Sequence, residues 1–229
     1  MTYTLITANR NYSSWSLRPW ILMKALSIPF EDEIELFTMP VNYDAFRSFS
    51  PTGQVPVLID GERTIWDSLG IALYLADRHP GAWPADEEAR AFAQSAVCEM
   101  HGGFPALRGF CTMNVGVRVK PRAMDGQLVR EVYRIREIFE EGLARFGGTW
   151  LAGSSFTVLD AFYAPVAFRV RTYGLDVGRG QAWVDAMLAH PAMRQWEEEA
   201  LAEEWREESH EAELVAAGEI IADYRTGGR

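Results

Sequence analysis

Cysteine is nearly missing from this 229-residue chain: Cys98 and Cys111 are the two, with neither Cys-x-x-Cys spacing nor the paired spacing of a metal knuckle. That pattern excludes a disulfide framework and a thiolate metal centre, and both thiols are expected to be buried apolar fillers. No run approaches the ~20 apolar residues that a membrane-spanning helix needs, so no span is expected. Basic residues are scarce too: 22 against 32 acidic ones leave a net charge of −10 without a basic cluster, which disfavours nucleic acid and anionic membranes as partners. The opening residues, Met1-Thr2-Tyr3-Thr4-Leu5-Ile6, lack a basic region followed by a long apolar core and a cleavage site. No secretion signal is therefore expected, and the cytoplasm is the default compartment. Neither a His-Glu-x-x-His motif nor a Gly-rich phosphate loop occurs, so no metal is expected.

An apolar fraction of 48% is ordinary for a globular protein, and the length suffices for one large domain or two. Tyr3 to Thr7 reads as a buried strand, and Leu17 to Leu26 as a helix ended by Pro29. Phe30 to Phe37 reads as a second strand, and the segment from Val41 to Phe49 as holding a short helix. Val57 to Ile59 and Ile65-Trp66 form a turn-linked strand pair through Asp60-Gly61, and Ser68 to Asp77 a helix. This order is that of a thioredoxin-like domain. Two prolines and a glycine in His79-Pro80-Gly81-Ala82-Trp83-Pro84 mark a boundary, giving domains over 1–80 and 87–229 joined by a linker over 81–86. The second domain is expected to be all-helical: helices over Glu87–Cys98, around Leu128 to Leu143, over Val158–Val170, and from Met193 through the acidic tail to Tyr224. Val158–Val170 is apolar nearly all round, hence a central helix, which Pro165 is expected to bend. Thr157-x-x-Asp160 supplies its capping box. Trp66, Trp83, Trp150, Trp183 and Trp196 are expected in the core, and the glutamates from Glu197 to Glu208 on a solvated helix face.

One stretch carries chemistry. Pro56 in Gly53-Gln54-Val55-Pro56-Val57-Leu58 stands at a strand entry, where a cis X-Pro bond would turn the backbone of Val55 outward with its N–H and C=O unpaired. Asp67-Ser68 then open a helix whose free N–H groups suit a carboxylate. Together they describe a pocket for a small acidic peptide.

Gln-Val-Pro-Val-Leu followed by an acidic-Ser pair at a helix start resembles the glutathione-binding half of the cytosolic glutathione transferases, and the likeness extends over nearly the whole chain. The resemblance implies a thioredoxin-like domain followed by an all-helical one, glutathione as co-substrate, a small electrophile as second substrate, and a homodimer. It implies that Val55, on the binding edge it shares with Pro56, pairs its backbone with the cysteinyl residue of glutathione and that Gln54 reaches the same end. Asp67 and Ser68 would hold the γ-glutamyl end, and the Thr157-x-x-Asp160 cap would serve folding.

Ser13-Ser14-Trp15-Ser16-Leu17-Arg18 is similar to the Ser-Ser-Cys-Ser-x-Arg signature of zeta-class members, which include maleylacetoacetate isomerases, with Trp15 in place of the cysteine. A serine hydroxyl beside a helix N-terminus can lower the pKa of the glutathione thiol. One of the three serines is expected to cap the helix; if Ser16 does, Ser14 is the first choice for the thiol and Ser13 the second. For the electrophile, Trp15, His101, Phe104 and Arg108 are the candidates, the last three on one helical face if the helix continues through Gly102, Gly103 and Pro105. A cation there suits an acidic electrophile. The other expectations open at this point are a glutathione-binding scaffold without turnover and a thiol oxidoreductase or dehalogenating relative; Trp15, standing where oxidoreductases of this fold carry a cysteine, argues against an oxidoreductase.

Overall fold

The computed structural model describes residues 2–37 and 43–227. Strands β1 (Tyr3–Thr7), β2 (Phe30–Ile34), β3 (Val57–Asp60) and β4 (Arg63–Trp66) form a mixed sheet in the order β2-β1-β3-β4. β1 and β2 are parallel because helix α1 (Ser14–Ala25) crosses between them, while β3 and β4 are antiparallel neighbours joined at Asp60-Gly61. Gly61 turns there at φ +60°, a conformation that costs glycine little. Leu5, Val57 and Leu58 in the central strands are wholly buried, whereas the edge strand β2 is mostly exposed and stops at Ile34, short of Phe37. Helix α2 (Tyr43–Phe46) falls within the segment expected to be helical; Val41 and Asn42 lie outside the described residues. Helix α3 (Ser68–Ala76) completes the thioredoxin-like domain.

α1 starts at Ser14, three residues before its expected start at Leu17. Leu17, Trp20, Ile21, Leu22 and Met23 are all inaccessible to solvent, since α1 is packed against α3 and against α7 (Val158–Tyr173) of the second domain. α7 is the central helix. Every residue in it but Arg171 is buried, and it runs uninterrupted through Pro165. Each large apolar side chain buried along it contributes about 1.5–3 kcal/mol. The capping box forms as expected: Asp160 accepts from Thr157 N–H at 3.0 Å, and also from Leu151 N–H and Trp183 Nε1 at 2.9 Å each. The other helices of this domain are α4 (Glu87–Gly102), α5 (Pro105–Phe110), α6 (Gly126–Phe146), α8 (Gln181–Ala189), α9 (Pro191–Ala202) and α10 (Glu208–Ala217), of which α4 and α8 pack directly on α7.

Three expectations need correction. The helix expected to end at Cys98 reaches Gly102, but it does not continue through Pro105: Gly103 is extended and Phe104 left-handed at φ 59°, because Pro105 lacks the N–H that a continuing helix needs. The tail is not helical to Tyr224, and the second domain is not purely helical. Gly218 ends α10, and β6 (Gly218–Asp223) pairs antiparallel with β5 (Val117–Pro121). A side chain at Gly218 would collide with the Lys120 carbonyl, so the ribbon needs glycine where α10 gives way to strand. Finally, the burial expected of single side chains holds only in part: Trp183, Trp196 and Cys111 are buried, but Trp66 is 47% exposed and Cys98 is exposed too.

Candidate functional site

A cleft of about 830 Å³ between the domains brings together ten of the eleven candidate residues: Ser13, Ser14, Trp15, Gln54, Val55, Pro56, Asp67, Ser68, His101 and Arg108. Phe104 is not among them. It is 5% exposed, turned into the core by its left-handed backbone between α4 and α5.

The peptide-like edge has the expected form. The Val55–Pro56 bond is cis, and neither backbone group of Val55 has a hydrogen-bond partner among the described residues. Gln54 is held by Ser50, whose hydroxyl donates to its carbonyl at 2.6 Å. Asp67, at φ 68°, caps α3 by accepting from Leu69 N–H at 2.7 Å, while its second oxygen stands 3.5 Å from His101 Nε2. Ser68 is 1% exposed, and its hydroxyl accepts from Arg18 Nη1 at 3.4 Å.

The three serines are sorted by their partners. Ser13 occupies the N-cap position of α1, and its hydroxyl donates to Ser16 Oγ at 2.7 Å. Ser16 Oγ in turn accepts from Ala8 N–H at 3.2 Å. Ser13 is therefore not the free hydroxyl that capping by Ser16 would have left. Ser14, 8% exposed in the first turn of α1, has no side-chain partner among the described residues and lines the cleft. Its O–H is the one of the three free to donate to a ligand.

Cations crowd the adjoining wall. The Arg18 guanidinium lies 4.0 Å from the centre of the Trp15 ring and that of Arg108 lies 4.8 Å from it, so the indole supports two positive charges. Burial, reinforced by Arg108 and Arg169, pulls the Arg18 pKa well below its ordinary value, and burial also lowers those of Arg108 and His101. Arg18 Nε and His101 Nδ1 are buried without a partner among the described residues. Arg169 was not foreseen. It is 6% exposed and lines the cleft from α7; its Nε donates to the Cys111 carbonyl at 2.7 Å, its Nη groups have no partner among the described residues, and burial lowers its pKa to about 10. The signal was a lone arginine in the apolar run that follows Asp160 in Val158–Val170. Arg108 donates to the Met100 and His101 carbonyls, so Arg18 and Arg169 are the cations with donors to spare, and buried charges left short of partners stabilise an entering anion.

The C-terminal segment also lines the cleft, through Glu207 from the expected solvated face and through Ser209, His210 and Glu213 beyond it. His210 stacks on Tyr12 and Phe37 with ring centres 4.9 and 5.6 Å away, and Tyr12 Oη donates to Glu211 at 2.7 Å. Glu207, 5% exposed, accepts from Ser209 Oγ at 2.6 Å, from His210 N–H at 2.9 Å and is 2.6 Å from His210 Nδ1. Burial alone would raise its carboxyl, but these donors outweigh it and bring the pKa down to about 2. A depressed carboxyl pKa stabilises the fold above the unfolded value of about 4.3, and that contribution is lost as pH falls from there toward 2. Protection of the His210 amide from hydrogen exchange should accordingly decline below about pH 4; unchanged protection at pH 3 would show that Glu207 does not hold this segment.

Comparison with known proteins matches residues 12–78 to the N-terminal domain model of glutathione S-transferases and residues 124–199 to the C-terminal one. A dichloromethane dehalogenase of Methylorubrum extorquens is 42% identical over 62 residues, 26% of this chain, a match that spans only 22% of the dehalogenase's length. A maleylacetoacetate isomerase of Rhizobium meliloti is 30% identical over 167 residues, 62% of this chain and 74% of the isomerase. In three dimensions the chain is similar to a glutathione transferase homolog from Burkholderia solved with bound glutathione, with a TM-score of 0.66 and 18% identity over 87% of this chain and 98% of that one.

Proposed function

This chain belongs to the glutathione S-transferase family, and from that premise we propose that it binds glutathione in the cleft and uses the Ser14 hydroxyl to hold the sulfur as a thiolate for attack on a small electrophile that carries a carboxylate. The observation that carries this reading is the free Ser14 hydroxyl, set in one cleft with the unpaired edge of Val55 and the mouth of α3 at Ser68.

In this reading Val55 pairs its backbone with the cysteinyl residue of glutathione. The γ-glutamyl carboxylate lies on the Ser68 hydroxyl and N–H, where the helix N-terminus and the nearby Arg18 favour negative charge, and its ammonium faces Asp67. A free thiol with a pKa of about 8.5 is mostly protonated at neutral pH, and a donor that stabilises only the thiolate shifts that balance. The sulfur then forms a bond to the electrophilic carbon. If a leaving group departs with the displaced electron pair, the product is a conjugate. If the pair instead moves into an enolate, rotation and expulsion of the thiolate return an isomer. Arg108 and Arg169 would hold the electrophile's carboxylate in both cases. Protein thiol chemistry has no support here: Cys111 is buried with its pKa pushed up to about 12, and neither cysteine lines the cleft. By family membership the working form is proposed to be a cytosolic homodimer.

Calorimetric titration with glutathione, followed by thiol-consumption assays on paired electrophiles with and without a carboxylate, tests the proposal. The expected result is saturable binding and turnover that prefers the acidic member of each pair. Absence of glutathione uptake would overturn it, and binding without thiol consumption across the panel would favour a scaffold.

A further inference from the structure

Glu203 terminates α9, the place in a helix where a negative charge is least welcome because the exposed carbonyls already concentrate partial negative charge. Partial burial adds to that cost, raising its carboxyl pKa above the usual range. Its partners recover part of that cost. Glu203 accepts from Arg10 N–H, from Asn11 N–H at 3.1 Å and from Asn11 Nδ2 at 3.1 Å, all in the loop that leads from β1 to Ser14. An amide side chain has one acceptor oxygen and turns an NH2 toward the rest, so only a carboxylate receives all three donors.

The gripped loop has little freedom left. Trp196 Nε1 donates to the Arg10 carbonyl at 2.8 Å, and Asn11 Oδ1 accepts from Gly116 N–H at 3.2 Å. From this anchor a tight turn runs directly to the site: Ser13 N–H donates to Asn9 O and Ser14 N–H to Tyr12 O, each at 2.9 Å. Arg10 and Asn11 are 1% and 0% exposed, so no water substitutes for a lost contact.

We propose that Glu203 is a positioning residue for the thiolate: from the helical domain it fixes the backbone of Arg10 and Asn11, and through it the place of the Ser14 hydroxyl. The proposal rests on the assignment of Ser14 to the glutathione sulfur. Neighbouring Glu199 provides the contrast. It pairs with the Arg10 side chain at 2.9 Å and touches no backbone N–H of the loop, so it joins the domains without setting the turn.

The test is ultraviolet titration of the glutathione thiolate bound to the full chain, in wild type, Glu203→Gln, Glu199→Gln, Ser14→Ala and the Glu203→Gln/Ser14→Ala double variant. Glu203→Gln should raise the apparent pKa of bound glutathione by about one unit, a tenfold fall in the thiolate-to-thiol ratio at fixed pH, with the Kd held within about twofold when measured below the bound pKa, where glutathione binds as the thiol. Glu199→Gln should leave the titration in place. In the Ser14→Ala background Glu203→Gln should add nothing, since two residues acting through one contact are not additive. A Glu203→Gln curve that coincides with wild type, or a shift that persists in full without the Ser14 hydroxyl, overturns the role of Glu203. A Ser14→Ala curve identical to wild type overturns the serine assignment itself, separately. Should Glu203→Gln fail to fold, Glu203→Asp, a carboxylate one methylene shorter, is expected to give the same direction of shift with the fold retained; no shift in a folded Glu203→Asp likewise overturns the proposal.

Discussion

Ser14→Ala is expected to lower kcat/KM for glutathione-dependent turnover roughly 10- to 100-fold near neutral pH and to narrow that deficit steadily as the pH rises. A hydrogen bond to a charged acceptor contributes about 1.5–3 kcal/mol, and each 1.36 kcal/mol is tenfold in the thiolate population. Without the donor, the bound thiol returns toward the free value of about 8.5, so at pH 9 both enzymes hold mostly thiolate and their rates converge. Ser13→Ala is the matched comparison. Its proton is committed to Ser16, so its loss costs a contact that shapes the start of α1 rather than a donor to the ligand. It should change kcat/KM by less than about threefold and express itself mainly in melting temperature. A pH–rate profile for each variant decides the matter: a flat ratio of Ser14→Ala to wild type across pH 6–9 would remove Ser14 from thiol activation, and a larger effect at Ser13 would transfer the role there.

What the sequence makes legible divides along the distance over which each feature is determined. The pair Val57–Asp60 and Arg63–Trp66 could be read because its signals are local: Pro56 at the entry, Asp60-Gly61 at the turn and apolar residues between. The capping box at Thr157 and Asp160 is equally local. The choice among Ser13, Ser14 and Ser16 was not, because it depends on the Ala8 N–H taking one lone pair of Ser16 and leaving Ser14 alone. Phe104 was misplaced for want of one local fact, the break that Pro105 imposes. Glu203 and Glu207 look like members of a solvated acidic face, since their neighbours alternate with it; what draws them inward is the loop at Arg10 and Asn11 in one case and the Ser209 and His210 donors in the other. The strand at Gly218–Asp223 was hidden by the helical residues before it, although Gly218 and the β-branched Ile220-Ile221 pair are strand signals in themselves.

Removing Arg169 should separate substrates by charge. Arg169→Met is expected to reduce kcat/KM for carboxylate-bearing electrophiles about 30- to 5000-fold, the equivalent of the roughly 2–5 kcal/mol lost when a desolvated charge pair is deprived of one partner. Neutral electrophiles should stay within about threefold. Stability should move little, because two effects oppose each other. The Cys111 carbonyl loses its donor, at about 1 kcal/mol or somewhat more. Against this, Arg18 is relieved of a like charge that lowers its pKa, and methionine fills an apolar helix face comfortably. Arg169→Lys should fall between: the charge is kept, but an ammonium cannot reproduce the planar pair of Nη donors that a carboxylate engages side by side. Steady-state kinetics on one acidic and one neutral electrophile, with glutathione saturating, would settle the point. Equal losses on both substrates would reduce Arg169 to a packing residue and leave the cationic wall without a role in specificity.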